Sequence, residues 1–149
     1  MRAVVAAPGA DLVRLDEVPP PVPADGEVLV HVSAISVNRG ELHRLRNAKP
    51  GWRPGWDFAG TVGEVGCEGT AFAPGQRVFG MAVHGGAWAE RVAVRADHLV
   101  PSPDGLGDAP AAALPVAAVT AQRVLRLAGA LRGRGVLITG AAGGVGRFA

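Results

Sequence analysis

Glycine spacing near the end of the chain is the pattern that points most directly to chemistry. Gly140-Ala-Ala-Gly-Gly-Val-Gly146 follows the apolar run Val136-Leu-Ile-Thr139. A strand, then G-x-x-G-x-x-G, then a helix is the layout of a dinucleotide-binding turn. Its glycines let the backbone approach a pyrophosphate, and the N–H groups of the following helix face the anion. A flexible Gly/Ala-rich segment has the same composition, so the loop alone leaves both readings open. Upstream, Asn38 is followed three residues on by Glu41, the spacing of a helix capping box. An Asn amide is also a donor that can stabilise negative charge developing on a carbonyl oxygen. Thr120 falls near the start of a helical segment, where its hydroxyl either meets a ligand or is satisfied by the preceding turn. Trp52 and Trp56 are flat apolar slabs suited to wall a substrate pocket or to pack in a core.

Metal chemistry has little to work with. His31, His43, His84 and His98 show no H-x-x-x-H or similar ligand spacing, and Cys67 is the only cysteine. A catalytic zinc needs about three converging N, S or O ligands, so no metal is expected. One cysteine also excludes an intrachain disulfide framework. The chain has no Tyr, so no tyrosine acid comes from it.

Composition bounds the rest. The 149 residues are 48% hydrophobic and carry 15 Lys+Arg against 13 Asp+Glu, which is enough apolar material and too little net charge for disorder. Fourteen of the basic residues are Arg, scattered from Arg2 to Arg147 with no aromatic-interleaved stripe, so nucleic-acid binding is not expected. No run reaches the about 20 apolar residues of a membrane span. Pro8 and Asp11 fall too early for a signal sequence, which makes a cytoplasmic protein the default.

Two textures position these residues. Up to about residue 107, short strands lie between glycines and prolines: Arg2–Ala6, Leu12–Val18, Glu27–Ser36, Phe58–Val65, Gln76–Met81 and Trp88–Val94. Glu27–Ser36 alternates with two apolar-leaning faces, which predicts a strand covered on both sides. Asn38–Asn47 reads as a short helix capped by Asn38. Beyond it, Asp108 caps a small helix with Pro110 in its first turn. Val116–Leu131 reads as a helix with Val116, Thr120, Val124 and Leu127 on one face, stopped by Gly133 and Gly135. Val136–Thr139 is the final predicted strand. A small barrel or sandwich followed by the opening of an α/β unit is the expected layout.

Six segments in order resemble the medium-chain dehydrogenase/reductase superfamily, in particular its zinc-free quinone-oxidoreductase branch. They are Ile35-Ser-Val-Asn38 with Glu41; Pro54-Gly-Trp-Asp57-Phe-Ala-Gly60-Thr-Val62; Phe72-Ala-Pro-Gly75-Gln-Arg77-Val78; Gly86-Ala-Trp88-Ala-Glu90; Leu114-Pro-Val-Ala-Ala-Val-Thr120-Ala121; and Leu137 with Ala141-Ala-Gly-Gly-Val-Gly146. Arg39, Glu41, Gln76 and Arg134 depart from the usual residues without removing a cofactor contact.

The resemblance implies a mainly β fold. Residues 1–115 would form a GroES-like catalytic barrel, and 116–149 a helix plus the first strand and turn of an incomplete Rossmann domain. It places the Asn38 amide beside a nicotinamide and the Thr120 hydroxyl near the carboxamide. Ala142, Gly143, Gly144, Val145 and Gly146 would cradle the pyrophosphate. Zinc-dependent relatives carry Cys near position 38 and Gly-His-Glu at 55–57, whereas this chain has Asn38 and Gly55-Trp-Asp57. The implied activity is hydride transfer from NADPH, without zinc, to a quinone, enone or similar electrophile. Rival readings are a non-catalytic GroES-like binding module and a zinc alcohol dehydrogenase relative. Asp57 is expected to anchor structure through an Arg. Val136, Leu137 and Ile138 would each forgo ~1.5–3 kcal/mol if left wet. The chain is therefore expected to be a piece of a longer protein or one whose tail docks on another copy as a homo-oligomer; with the nucleotide-binding half incomplete, it is expected to be inactive alone.

Overall fold

A computed structural model describes residues 1–149 except Pro8, Ala10 and 67–70. Cys67 thus lies outside the described residues. The strands are β1 (Arg2–Ala6), β2 (Val13–Glu17), β3 (Glu27–Ile35), β4 (Asp57–Val65), β5 (Arg77–Met81), β6 (Arg91–Arg95) and β7 (Leu99–Pro101). The helices are α1 (Arg39–Leu45), α2 (Asp108–Ala112) and α3 (Val119–Leu127), the last entered through a π-helical turn at Leu114–Ala118.

Pairing is antiparallel throughout, in the order β6-β3-β4-β5-β7, with β1-β2 as a separate hairpin. The connection between the two edges shows the sheet's shape. β6 and β7 lie at opposite edges, yet only the 3-10 turn Ala96–His98 joins them. Five strands laid flat at about 4.8 Å spacing would separate those edges by about 19 Å. A 3-10 turn rises only about 2 Å per residue. The sheet must therefore curl until its edges meet, giving a barrel. Val28, Val30, Phe58, Val62, Val78, Val92, Val94 and Leu99 fill its interior.

The β3 alternation holds on one face only. Val28 and Val30 are buried inside, but on the other face only Leu29 is covered, while His31, Ser33 and Ile35 are exposed. Register shifts against β4, between Val28 and Val30 and again between Val32 and Ala34, turn Ala34 into a second cluster. There Ala59 meets Ala111 and Ala112 of α2. Small residues let α2 lie close against the barrel wall.

Several boundaries differ from the sequence reading. α2 takes Gly107 as its N-cap, and the Asp108 carboxylate instead pairs with Arg77 at 2.6 Å. The strand expected at Trp88–Val94 forms only over Arg91–Arg95, preceded by an isolated bridge from Ala89 to Ala3. Val116 to Ala118 belong to the π-helical turn, and α3 ends at Leu127, with Ala128 as its C-cap and Gly129 at φ +79° as a left-handed stop. The face that packs is Ala117 and Ala121; Val124 and Leu127 point to solvent. Val136–Thr139 is not a strand. A strand exists only through its neighbours' hydrogen bonds, and none of the described residues pairs with this run.

Candidate functional site

Two buried carboxylates organise the region around Asn38. Asn38 has extended backbone (φ −109°, ψ 147°) and begins α1. The capping logic holds on the acidic side: Glu41 Oε2 accepts the Asn38 N–H at 2.6 Å. Its other oxygen, Oε1, accepts the Trp56 N–H at 2.5 Å. From the Asn38 side chain, Nδ2 donates to Asp57 Oδ2 at 2.8 Å. Asp57 Oδ1 accepts the Val116 N–H at 3.2 Å. Asp57 thus ties the barrel to the π-helical turn that leads into α3.

Both carboxylates are fully buried. Asp57 is pushed up to about 6, chiefly by burial; the Asn38 amide opposes this, the Glu41 charge adds to it and the Val116 N–H opposes it. Glu41 is raised by burial, against the backbone N–H groups of Asn38 and Trp56 and the Asn38 side-chain amide. Among the described residues no arginine pairs with Asp57, so the anchor expected through an Arg is instead made by one amide and one backbone N–H. Donors this weak only partly replace lost hydration.

Trp56 stands between two cavities. One, of about 340 Å³, is lined by Trp56, Met81, Val83, Pro115, Val116, Val119, Thr120 and Arg123. The other, of about 570 Å³, lies between α1 and the segment after it, with His43, Arg44, Asn47, Trp52 and Trp56 among its walls. The structure therefore brings Trp56 and Thr120 to one cavity and Trp52 and Trp56 to the next. Trp52 also packs in the cluster of Ala6, Leu45 and Trp88, with the Arg44 guanidinium 4.9 Å from its ring. Asn38 lines neither cavity but bonds to the residue next to Trp56.

The glycine loop is built from turns. Gly143 N–H donates to Gly140 O at 2.9 Å and Arg147 N–H to Gly143 O at 3.0 Å. The N–H groups of Gly144, Val145 and Gly146 make no backbone bond within the described residues. A Cβ on Gly146 would overlap the Gly140 carbonyl oxygen, so the close turn requires a bare Cα. Gly143, Val145 and Gly146 line a cavity of about 450 Å³ against Val124 and Leu125 of α3, while Ala142 and Gly144 do not. The loop is thus the beginning of a helical turn after an unpaired extended run, not a strand-to-helix bend.

Sequence reasoning missed the acid pair as a unit, since each carboxylate looked locally accounted for. It also missed Met81, Val83 and Arg123. The spacing of Arg123 three residues after Thr120 was the available signal, because it puts both on one helix face. Among the described residues no three His, Cys, Asp or Glu converge as a metal site, and no helix is long and apolar enough to cross a membrane.

Residues 24–104 match the alcohol dehydrogenase GroES-like domain family. The chain belongs to that family. This GroES-like chain is 35% identical over 156 residues to a chloroplastic quinone-oxidoreductase homolog of Spinacia oleracea, covering 95% of the chain and 47% of the relative. It is 47% identical over 128 residues to erythronolide synthase EryA2 of Saccharopolyspora erythraea, covering 83% of the chain and 4% of that protein. Among solved structures, quinone oxidoreductase from Coxiella burnetii matches with TM-score 0.90 and 30% identity over 99% of this chain and 51% of that one. The quinone oxidoreductase from Thermus thermophilus, solved also with NADPH, matches at 0.80 and 31%, over 99% and 48%. A cobalt- and zinc-bound alcohol dehydrogenase from Pyrobaculum aerophilum matches at 0.88 and 28%, over 99% and 54%. The GroES-like chain thus spans about half the length of the quinone oxidoreductases it resembles.

Proposed function

We propose that this chain is the substrate-binding part of a zinc-independent, NADPH-dependent oxidoreductase that passes hydride to a quinone, enone or similar conjugated carbonyl. The observation that carries the reading is the convergence of Trp56 and Thr120 on one apolar cavity, one residue from the Asn38–Asp57 pair. In this reading residues 1–115 form the substrate domain and 116–149 open the nucleotide-binding domain, and activity belongs to a protein that also supplies the remainder of that domain. The quinone-oxidoreductase relatives support it, as does the relative solved with NADPH.

Residues 142–146 fit a pyrophosphate. Free backbone N–H groups at 144–146 and the bare Cα of Gly146 give an anion close approach to the main chain. NADPH bound there would supply the hydride. The residues of this chain would do the rest. Trp56 and Val116 exclude water and hold a flat acceptor. Thr120 offers a hydroxyl to the carboxamide. Asn38, whose amide is engaged by Asp57 and Glu41, would release one of those bonds to donate to the acceptor's oxygen, where negative charge grows as hydride arrives.

A second version, in which the acceptor is an α,β-unsaturated thioester rather than a free quinone, fits the same cavity, since both are conjugated carbonyls that take hydride. Comparing NADPH oxidation with a quinone and with an α,β-unsaturated thioester separates the two. Absence of turnover with any conjugated carbonyl would overturn both and favour a non-catalytic module. Zinc independence is proposed because Asn38 and Trp56 stand at positions where zinc-dependent relatives are expected to carry ligands. One zinc per chain by elemental analysis would instead place the protein with the zinc-bound alcohol dehydrogenase.

A further inference from the structure

We infer that the cavity between Trp56 and α3 takes a substrate with an anionic end, a carboxylate or a phosphate, paired with Arg123. The inference rests on the proposed reductase reading and adds the polarity of its substrate. Arg123 is the only charged residue among the described residues lining this cavity. It makes no ion pair and no side-chain hydrogen bond with any described residue, whereas Arg2, Arg14, Arg77 and Arg95 are each matched with a carboxylate.

The surrounding groups do not supply a counter-charge. No Asp or Glu is among the described residues that line the cavity. The nearest buried acids, Glu41 and Asp57, are already engaged by Asn38, Trp56 and Val116. The polar side chains on the wall add donors rather than negative charge. Thr120 lies three residues from Arg123 on the same helix face and brings a hydroxyl to the wall. An apolar cavity with one cation and one hydroxyl on its wall complements a flat apolar body with an electron-rich end. A guanidinium accepts carboxylate and phosphate with the same fork geometry, so the shared feature is the anion.

Equilibrium binding to the 149-residue chain, followed by tryptophan fluorescence, tests this without turnover. The probes are 2-naphthoate, 2-naphthyl phosphate and the neutral isostere 2-naphthamide. At least one anion should bind roughly threefold to tenfold more tightly than the amide, the range of one partly exposed charged pair. That preference should vanish in Arg123→Gln, persist in Arg126→Gln and shrink at high salt. Whichever anion binds more tightly identifies the end group. Equal affinity for all three probes, or a preference retained in Arg123→Gln, would overturn the inference. Because no NADPH is present, failure here leaves the hydride-transfer reading standing. Loss of NADPH oxidation with the anion preference intact would remove that reading alone.

Discussion

Asp57 sits where burial and hydrogen bonding oppose each other, and burial prevails. Its carboxyl is pushed up to about 6 from an ordinary value of 3.8. The folded chain therefore keeps a proton over a range in which the unfolded chain has lost it. Stability linked to this group is fully present below the unfolded value and is lost as pH rises through about 6. Exposed acids such as Asp97 and Glu90, held low by Arg95 and Arg2, behave oppositely and matter only at more acid pH. Urea midpoints measured at about pH 5 and about pH 7 should thus fall with pH in the parent, and that fall should shrink in Asp57→Asn. A variant with the parent's full slope would show that other groups carry it. Asn38→Ala tests the adjoining donor. In the proposed reductase it should lower kcat by about a hundredfold or more with little change in NADPH affinity. An unchanged kcat would reduce Asn38 to a partner of Asp57.

Elements behave according to what they can pair with. β3 is secured on both sides by β4 and β6, so its alternating apolar residues were readable in sequence and its position is fixed. Val136–Thr139 has the same apolar character and no neighbour to bond among the described residues, so it is only extended chain. The glycine loop still keeps the tight return over Gly140 that its spacing encodes. Gly146→Val would drive side-chain atoms into the Gly140 carbonyl and Ala141. Titration of the proposed reductase with NADPH should show affinity weakened roughly tenfold or more. The barrel's urea midpoint should stay at the parent value, since the loop makes no part of its core. Unaltered NADPH affinity would argue that residues 142–146 do not hold the pyrophosphate.

For the whole molecule, the barrel is closed and filled while α3 and the loop leave apolar surface in water. Val119, Val124, Leu127 and Leu137 are 56%, 57%, 84% and 91% exposed. Large apolar side chains left in water favour association. The 149-residue chain should self-associate by light scattering, and the double variant Leu127→Glu, Leu137→Glu should shift it toward monomer. A parent that is monomeric at high concentration would refute this.

The places of β1 to β5, the α1 cap with Glu41, and the resemblance carried by six spaced segments were legible in the sequence, because period, capping and turn chemistry are local properties of the chain; the three-residue β7 was too short to leave such a pattern. Only the tertiary structure decided that β6 and β7 close the barrel, that Asp57 is held by Asn38 and Val116 rather than by an arginine, and that α3 packs through its alanines. It also placed Arg123 on the wall shared by Trp56 and Thr120. Those outcomes depend on contacts between residues tens of positions apart. Which partner reaches a buried group first is settled by packing distance, which no local pattern records.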